Sequence, residues 1–257
     1  MQGLCTETRN VLETISSLDC FKDFCMIGGS ALAIQLHHRL SEDLDFCIWK
    51  KHKDDKVDIE WKTIEKQLAS ATKVVKTNVL AMNHIDFITD GVKVTFFGNT
   101  RLKQPPSLQK INLLNNIQIA DRESIGVMKL EVLLHRRAFR DYYDLYALLR
   151  EGAPLKELIE KTKVFSRHQM RTRDILLILT NGKYFEKDAG FDRLSPKYNV
   201  TASDIELFMI DRIREMQEKN KELPCKASDK LSAIRKEVKL NKKLSDQKGK
   251  NTKNKRP

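Results

Sequence analysis

The segment Met26–Phe46, MIGGSALAIQLHHRLSEDLDF, constrains the fold more than any other part of the chain. An apolar strand leads into a Gly-Gly-Ser turn, a helix, a loop and a second strand that begins at Asp43 and Asp45. Side chains two residues apart in a strand point to one side, so both carboxylates face the same space. Free backbone N–H groups at a helix N-terminus favour a phosphate. The segment therefore predicts a phosphate cradle beside two carboxylates.

The turn and the acidic pair receive separate predicted roles. We expect Gly28, Gly29 and Ser30 to bind NTP phosphates through backbone N–H groups and the serine hydroxyl. We expect Asp43 and Asp45 to be catalytic and to ligate Mg²⁺, which prefers carboxylate and phosphate oxygens. Each motif is weak alone, because glycine turns and acidic strand ends are common. Their combination on a strand–helix–strand frame indicates nucleotide chemistry.

Arg39 lies in the loop before the acidic pair. Its guanidinium is a candidate phosphate ligand, because Arg donates two parallel hydrogen bonds to phosphate oxygens. An ion pair with Glu42 or Asp43 at the surface is an equally good interpretation. The sequence leaves both roles open.

The chain is basic, with a net charge of +12 over 257 residues and a pI near 9.4. Such a charge favours a polyanionic partner such as nucleic acid. Residues 239–257 contribute +7 of it, which leaves +5 for the other 238 residues. Blocks of like charge are typical of a solvated, disordered tail, and an arm that binds nucleic acid is the alternative.

The compartment is predicted from what the sequence lacks. The five cysteines are odd in number and none has Cys-x-x-Cys spacing, so neither a zinc site nor a disulfide framework is indicated. No signal peptide is apparent at the N-terminus, and no apolar run approaches 18 residues. We therefore expect a cytoplasmic protein without a membrane partner.

The hydrophobic pattern changes near residue 120. Strands and helices alternate before it, with Asp90-Gly91 as a strong hairpin turn signal. After it, only helical patterns follow, beginning with the N-cap candidate Asp121. The predicted fold class is α/β (α+β): a mixed sheet with helices in 1–120, an all-helical part in 121–238, and the basic tail.

A second polar constellation lies in MKLEVLLHRRAFRDYYDLYALL, residues 128–149. On one continuous helix, Lys129, Arg136, Arg140 and Asp144 would lie within about 60° of one another. That arrangement forms a basic ridge ending in a carboxylate, which could bind triphosphate with Asp144 as base or orienting group. The alternative is a solvated helix face with Arg137 and Asp141 as an i,i+4 pair.

Both stretches resemble one known family. Gly-Ser followed by Asp-x-Asp resembles the DNA polymerase β-like nucleotidyltransferases, and GGSALAIQLHHRLSEDLDF with the 128–149 motifs is similar to the AbiEii/AbiGii toxins of type IV toxin–antitoxin and phage-defence systems. The resemblance implies Mg²⁺-dependent transfer of an NMP from an NTP to RNA, such as a tRNA 3′ end, or to protein. It also implies a cognate antitoxin, with Lys129 and Asp144 catalytic and with Arg136 and Arg140 binding nucleotide.

One position departs from the superfamily pattern. A third carboxylate is expected on the strand VKVTFF, which holds Lys93 and Thr95 instead. Asp86, on the partner strand of the hairpin, is a candidate substitute, although we interpret it as an exposed hairpin residue. The departure puts a two-metal arrangement in doubt and leaves one alternative: a catalytically inactive relative that binds nucleotide or RNA.

The remaining polar and aromatic candidates are assigned structural roles. His37 and His38 have no metal-ligand spacing with another His or Cys, so both are predicted to be surface residues. Tyr142, Tyr143 and Tyr146 are predicted to pack in the interior.

Overall fold

The computed structural model describes residues 1–50, 57–99, 104–166, 169–185 and 187–218. Its central element is a mixed sheet of seven strands in the order β3-β4-β5-β2-β1-β7-β6. The strands are β1 (Cys25–Ile27), β2 (Leu44–Trp49), β3 (Val74–Ala81), β4 (His84–Thr89), β5 (Val92–Asn99), β6 (Lys110–Leu114) and β7 (Ile117–Ala120). The β2–β5 and β1–β7 pairs are parallel, and the other pairs are antiparallel.

Helices surround this sheet and dominate after it. They are α1 (Thr6–Ile15), α2 (Gly28–Leu36), α3 (Trp61–Ala71), α4 (Arg122–Leu133), α5 (Phe139–Arg150), α6 (Leu155–Phe165) and α7 (Thr172–Leu179). Residues 202–218 are also helical. No strand follows Ala120 among the residues that the structure describes, which confirms the predicted fold class.

The division of the chain into domains is a separate matter. Met1–Ile210 form one compact unit, and the described residues 211–218 belong to a second. Independent domains meeting at residue 120 remain a prediction. The end of the predicted helical part, residues 219–238, and the basic tail lie outside the described residues.

The two faces of the sheet differ in chemistry because side chains alternate along each strand. One face carries an aromatic cluster in which Phe46, Phe96 and Phe87 are buried and Phe21 packs 4.6 Å from Phe46, measured between ring centroids. The residues immediately before them, Asp45, Thr95 and Asp86, therefore lie together on the opposite face. The apolar cluster stabilises the sheet and leaves that opposite face for polar side chains.

Several local signals are confirmed. Asp121 caps α4 by accepting a hydrogen bond from Ser124 N at 3.0 Å. Asp90 and Gly91 both have positive φ, at 46° and 81°, as a two-residue hairpin turn requires.

Candidate active site

The Gly-Gly turn brings two strands and a loop into close contact at the start of α2. Gly28 has φ +75°, and a Cβ at this position would lie 2.9 Å from Asp45 Oδ2. A Cβ on Gly29 would lie 2.4 Å from Arg39 Nη2. A side chain at either position would displace a charged group that lines the site, and at Gly28 the positive φ adds backbone strain.

Ser30 lies in the first turn of α2. Its side chain is buried and donates a hydrogen bond to the carbonyl oxygen of Asp43, and its Oγ lies 2.8 Å from Ser41 Oγ. These contacts join the N-terminal turn of α2 to the loop that precedes β2. The hydroxyl therefore fixes the acidic pair in place.

Asp43 and Asp45 are brought together, as predicted, but their surroundings differ. Asp43 immediately precedes β2, is 39% exposed, and lies 3.4 Å from Lys93 Nζ. Asp45 lies within β2, and burial raises the pKa of its carboxyl group while the charge of Lys93 partly offsets that rise. A buried carboxylate that no cation fully neutralises favours binding of a positive ligand.

Thr95 stands beside Asp45 on β5, at the position where a third carboxylate was expected. Its hydroxyl donates to Asp86 Oδ1 at 2.9 Å, and its backbone is the strand partner of Asp45. Asp86 is 18% exposed, so its interpretation as an exposed hairpin residue is wrong. The strand register explains the contact, because Thr95 pairs directly with both aspartates across β2, β5 and β4.

Asp144 on α5 is the centre of a buried ion-pair cluster. Arg39 Nε and Nη2 donate to its two oxygens at 2.7 and 2.9 Å, and Lys129 Nζ lies 2.6 Å from Oδ2. His38 Nε2 lies 2.8 Å from Oδ1. Burial favours the protonated acid, but Arg39, Lys129 and the His38 hydrogen bond outweigh it and hold the pKa of Asp144 well below its usual range.

Asp141 completes the cluster one helical turn earlier. Lys129 Nζ donates to its Oδ1 at 2.7 Å, and Arg136 donates to Oδ2 through Nε and Nη2 at 2.9 and 2.6 Å. Burial opposes the charge on Lys129, but Asp144 and Asp141 outweigh it and raise the pKa of the ammonium group. Lys129 is therefore held as a cation between two carboxylates.

Two adjoining cavities meet at this cluster. The polar cavity, about 270 Å³, is lined by charged side chains: Arg39, Asp43, Asp45, Lys93, Lys129, Arg136, Arg140, Asp141 and Asp188. The apolar cavity, about 280 Å³, has mainly apolar walls: Ile27, Phe46, Phe97, Ile125, Met128 and Val132. Gly29, Asp45, Lys129, Arg136 and Asp141 line both. One space can therefore accept a polyanion and the other an apolar group.

Three predictions about this region are wrong. The continuous helix that would align the basic ridge is interrupted, because α4 ends at Leu133 and α5 begins at Phe139. Arg137 does not pair with Asp141, because its guanidinium lies 4.0 Å from the centre of the Tyr184 ring. Arg136 forms the ion pair with Asp141 instead. His38 is buried against Asp144 and is not a surface residue.

The three basic residues predicted to form a ridge still lie close together, although they are not on one helix. Lys129, Arg136 and Arg140 all line the polar cavity, and Arg140 also lies 3.3 Å from Asp188. The non-helical segment between α4 and α5 lets the Arg136 side chain fold back onto Asp141. The arginine predicted in the loop, Arg39, forms its ion pair with buried Asp144 and not with Glu42 or Asp43.

Some site residues carried a usable sequence signal. Asp141 lies three residues before Asp144, so both occupy one side of a helix. Lys93 lies two residues before Thr95 and shares its face of β5. His38 carried no such signal, because its partner is 106 residues away.

Comparison with known proteins identifies the family. A family model described as nucleotidyl transferase AbiEii toxin, type IV TA system, matches residues 10–222. The chain belongs to the AbiEii family of nucleotidyltransferase toxins. The uncharacterized protein aq_aa25 of Aquifex aeolicus (strain VF5) is similar, with 29% identity over 221 residues that cover 85% of this chain and all of that protein.

The AbiEii assignment agrees with a structural likeness. MenT4, a nucleotidyltransferase toxin from Mycobacterium tuberculosis H37Rv, aligns with a TM-score of 0.50 and 12% identity, covering 82% of this chain and 88% of MenT4. The likeness shows a shared fold. With the family match it confirms that the chain is a nucleotidyltransferase.

Two further findings concern metal ligands and membrane-spanning helices. Within the described part of the chain, no three His, Cys, Asp or Glu side chains converge as a metal site. No helix in the described ranges has the length and apolar character needed to cross a membrane. The roles of individual site residues remain predictions, which the proposal below develops.

Proposed function

We propose that the protein transfers a nucleoside monophosphate from an NTP to a hydroxyl group of an RNA acceptor, such as a tRNA 3′ end, with Mg²⁺. The polar cavity is the observation that carries this proposal. In it the Gly29 backbone, the acidic pair Asp43 and Asp45, and the cation Lys129 meet within one space. Phosphoryl transfer depends on positioning and on neutralising charge, which these groups supply.

The residues present fit a single Mg²⁺ ion. Asp43 and Asp45 both line the polar cavity, and the raised pKa of Asp45 indicates that no group of the chain fully balances its charge. Mg²⁺ commonly takes one or two carboxylates, and substrate phosphates with water complete its shell. When bound, the ion would neutralise charge on the triphosphate.

The cationic side chains of the polar cavity bind the triphosphate. Lys129 is fixed by Asp141 and Asp144, so its ammonium group keeps its position while the substrate binds. Arg136 and Arg140 are about half exposed and can each turn towards a phosphate oxygen. The backbone of Gly28 and Gly29 offers N–H groups at the N-terminus of α2.

Asp144, which forms ion pairs with Arg39 and Lys129, holds these two cations in position. Asp144 is fully buried and accepts hydrogen bonds from Arg39, so it acts as the orienting group and not as the base. His38 contributes a third contact to the same carboxylate. The Arg39 guanidinium also lines the polar cavity, where its Nη2 lies beside Gly29.

RNA is favoured over a protein acceptor by charge. The chain carries a net charge of +12, and phosphate backbones bind basic surfaces by releasing counterions. The membership of a type IV toxin family adds a cognate antitoxin as partner, a role in phage defence and a cytoplasmic site of action to the proposal. A protein side chain is the alternative acceptor.

Label transfer tests the proposal. Purified protein is incubated with each α-³²P NTP, Mg²⁺, total RNA and cell protein, and the labelled product is then digested with ribonuclease or protease. We expect label from at least one NTP that ribonuclease releases and that EDTA abolishes. Label released only by protease would replace RNA by a protein acceptor. Mg²⁺-dependent NTP binding with no label on any acceptor would restore the binding-only alternative.

A further inference from the structure

The apolar cavity is lined by a histidine that has no role in the function proposed above and that lies beside an aspartate outside the cavity lining. His84 lines the cavity with 40% of its side chain exposed, and its Nε2 lies 3.7 Å from Asp86 Oδ1. Phe97, in the same wall, contacts the imidazole ring edge-on with a centroid separation of 5.8 Å. Asp86 is itself oriented by the hydrogen bond from Thr95. The imidazole is therefore held at the cavity by two neighbouring side chains.

The pair lies on the sheet face that carries the proposed metal ligand. Asp45, Thr95 and Asp86 are directly opposite one another across three neighbouring strands. His84 precedes Asp86 by two residues and so points to the same face. Strand spacing and rise place the Cα atoms of Asp45 and His84 about 12 Å apart. That span leaves room for a phosphoryl group and an attacking hydroxyl between the two side chains.

The order of the strands fixes the direction of attack. The phosphate cradle at Gly28 and Gly29 follows β1, on one side of β2, whereas β5 and β4 lie on the other side. In an in-line displacement the nucleophile approaches opposite the leaving pyrophosphate. The acceptor hydroxyl must then approach over β5 and β4, where His84 lies.

The other ionisable groups of the two cavities are already committed. Asp141 is held between Lys129 and Arg136, and Asp43 lies against Lys93. The charged groups that share the apolar cavity with His84 are Asp45, Lys129, Arg136 and Asp141. Among the described residues that line either cavity, His84 is the one imidazole, the side chain that exchanges protons most readily near neutral pH.

We propose that the apolar cavity is the acceptor subsite, where His84 acts as general base with Asp86 as its positioning residue. The proposal rests on the function proposed above and names its acceptor side: a terminal RNA nucleoside, whose base packs against Phe97, Met128 and Val132. Bases stack on aromatic side chains without sequence preference.

The chemical step is balanced within the site. The acceptor oxygen forms a bond to the α-phosphorus, the bond from that phosphorus to its bridging oxygen breaks, and pyrophosphate leaves. The hydroxyl proton passes to His84 Nδ1, because Nε2 is the ring nitrogen that lies near Asp86 Oδ1. The Asp86 carboxylate then stabilises the imidazolium ion.

Single-turnover kinetics of the full chain test this assignment. Transfer from an α-³²P NTP to RNA is measured between pH 5.5 and 9 for the unchanged protein, His84→Gln and Asp86→Asn. His37→Asn is the matched control, because His37 is exposed and lies in neither cavity. Binding of the Mg²⁺ complex of an α,β-methylene NTP, which cannot release pyrophosphate, is measured for all four proteins.

The expected results separate a base from a structural residue. His84→Gln should lower the transfer rate at pH 8 about 100-fold, the usual loss of a general base, and keep analogue affinity within about twofold. The unchanged protein should show a rate that rises tenfold per pH unit and then levels, and His84→Gln should lack that rise. Asp86→Asn should lower the transfer rate and keep the analogue affinity. Added imidazole should partly restore His84→Ala.

Opposite results overturn the assignment. A His84→Gln rate within threefold of the unchanged protein, or an inflection that survives in it, would exclude His84 as the base and leave the proposed transferase intact. Label on protein alone would overturn the RNA subsite. An unchanged protein that binds the analogue but labels no acceptor would contradict the proposed function itself.

Discussion

Asp144 is fully buried and binds Arg39 and Lys129 while it also contacts His38. Removing its charge leaves two buried cations without their shared partner, so Asp144→Asn should lower the free energy of unfolding by about 3–5 kcal/mol. Urea denaturation at pH 7.5 measures the change. Asp192→Asn is the control, because its ion pair with Lys187 is exposed and should contribute about 0–1 kcal/mol.

The same variant has a predicted pH signature. Arg39, Lys129 and His38 outweigh burial and hold the folded pKa of Asp144 far below the unfolded value of about 3.9. The contribution of Asp144 to the free energy of unfolding is therefore complete above the unfolded pKa and is lost as pH falls towards the folded pKa. The difference in unfolding free energy between the two proteins should shrink below about pH 4. A difference that stays constant down to pH 2 would contradict the assignment.

Asp45 should behave in the opposite way. Burial raises its folded pKa, so the ionised carboxylate opposes folding at neutral pH in the absence of a bound cation. Asp45→Asn should raise the free energy of unfolding by about 1 kcal/mol and abolish transfer, a trade-off typical of functional residues. Mg²⁺ with NTP should raise the melting temperature of the unchanged protein only. A destabilised Asp45→Asn would show that the carboxylate is structural.

At the scale of elements, the β1–α2 turn sets the position of both the phosphate cradle and the acidic pair. Gly28→Ala forces an L-residue into φ +75° and places Cβ against Asp45, so it should cost more than about 1–2 kcal/mol of stability. It should also weaken NTP binding roughly tenfold, about the free energy of one hydrogen bond to a charged group.

Gly152→Ala is the matched control for this turn. Gly152 also has positive φ, at 94°, but an added Cβ would meet no atom within 4 Å among the described residues. This variant should lose stability through backbone strain alone and keep its transfer rate. Equal NTP affinity in both variants would show that the β1–α2 turn does not bind the phosphates.

Elements differ in how far the sequence determines them. The strand–turn–helix–strand from Met26 to Phe46 was predictable because its signals are local: an apolar run, a glycine turn and an alternating strand. The Asp86–Thr95 contact was also within reach, since a two-residue turn at Asp90-Gly91 fixes the pairing of Asp86 with Thr95.

Other elements depend on tertiary contacts that no local pattern reveals. Strands β6 and β7 are short, and the exposed residues of β6 show no clear alternation, so neither was predicted. The break between α4 and α5 replaces the predicted ridge, because Arg136 gains a buried partner in Asp141. The Asp144 cluster joins residues about a hundred positions apart, a pairing that only the packing of α2 against α5 creates.

At the scale of the whole molecule, charge should govern the affinity for RNA. Deleting residues 239–257 removes +7 of the net charge of +12. Each lost phosphate contact reduces the slope of log affinity against log salt by about 0.7 for a single strand, so the slope should become shallower by up to about 5. Affinity for NTP should not change. Equal salt slopes in both proteins would exclude the tail from RNA binding.

The most direct test of the catalytic assignment is the linkage between Mg²⁺ and NTP at the acidic pair. Calorimetric titration with an α,β-methylene NTP is performed with and without Mg²⁺ for the unchanged protein and for Asp43→Asn/Asp45→Asn. If the two carboxylates ligate the ion, Mg²⁺ should increase affinity at least tenfold, about 1.4 kcal/mol, in the unchanged protein and not in the variant. An equal Mg²⁺ effect in both proteins would contradict the assignment of Asp43 and Asp45 as the metal site.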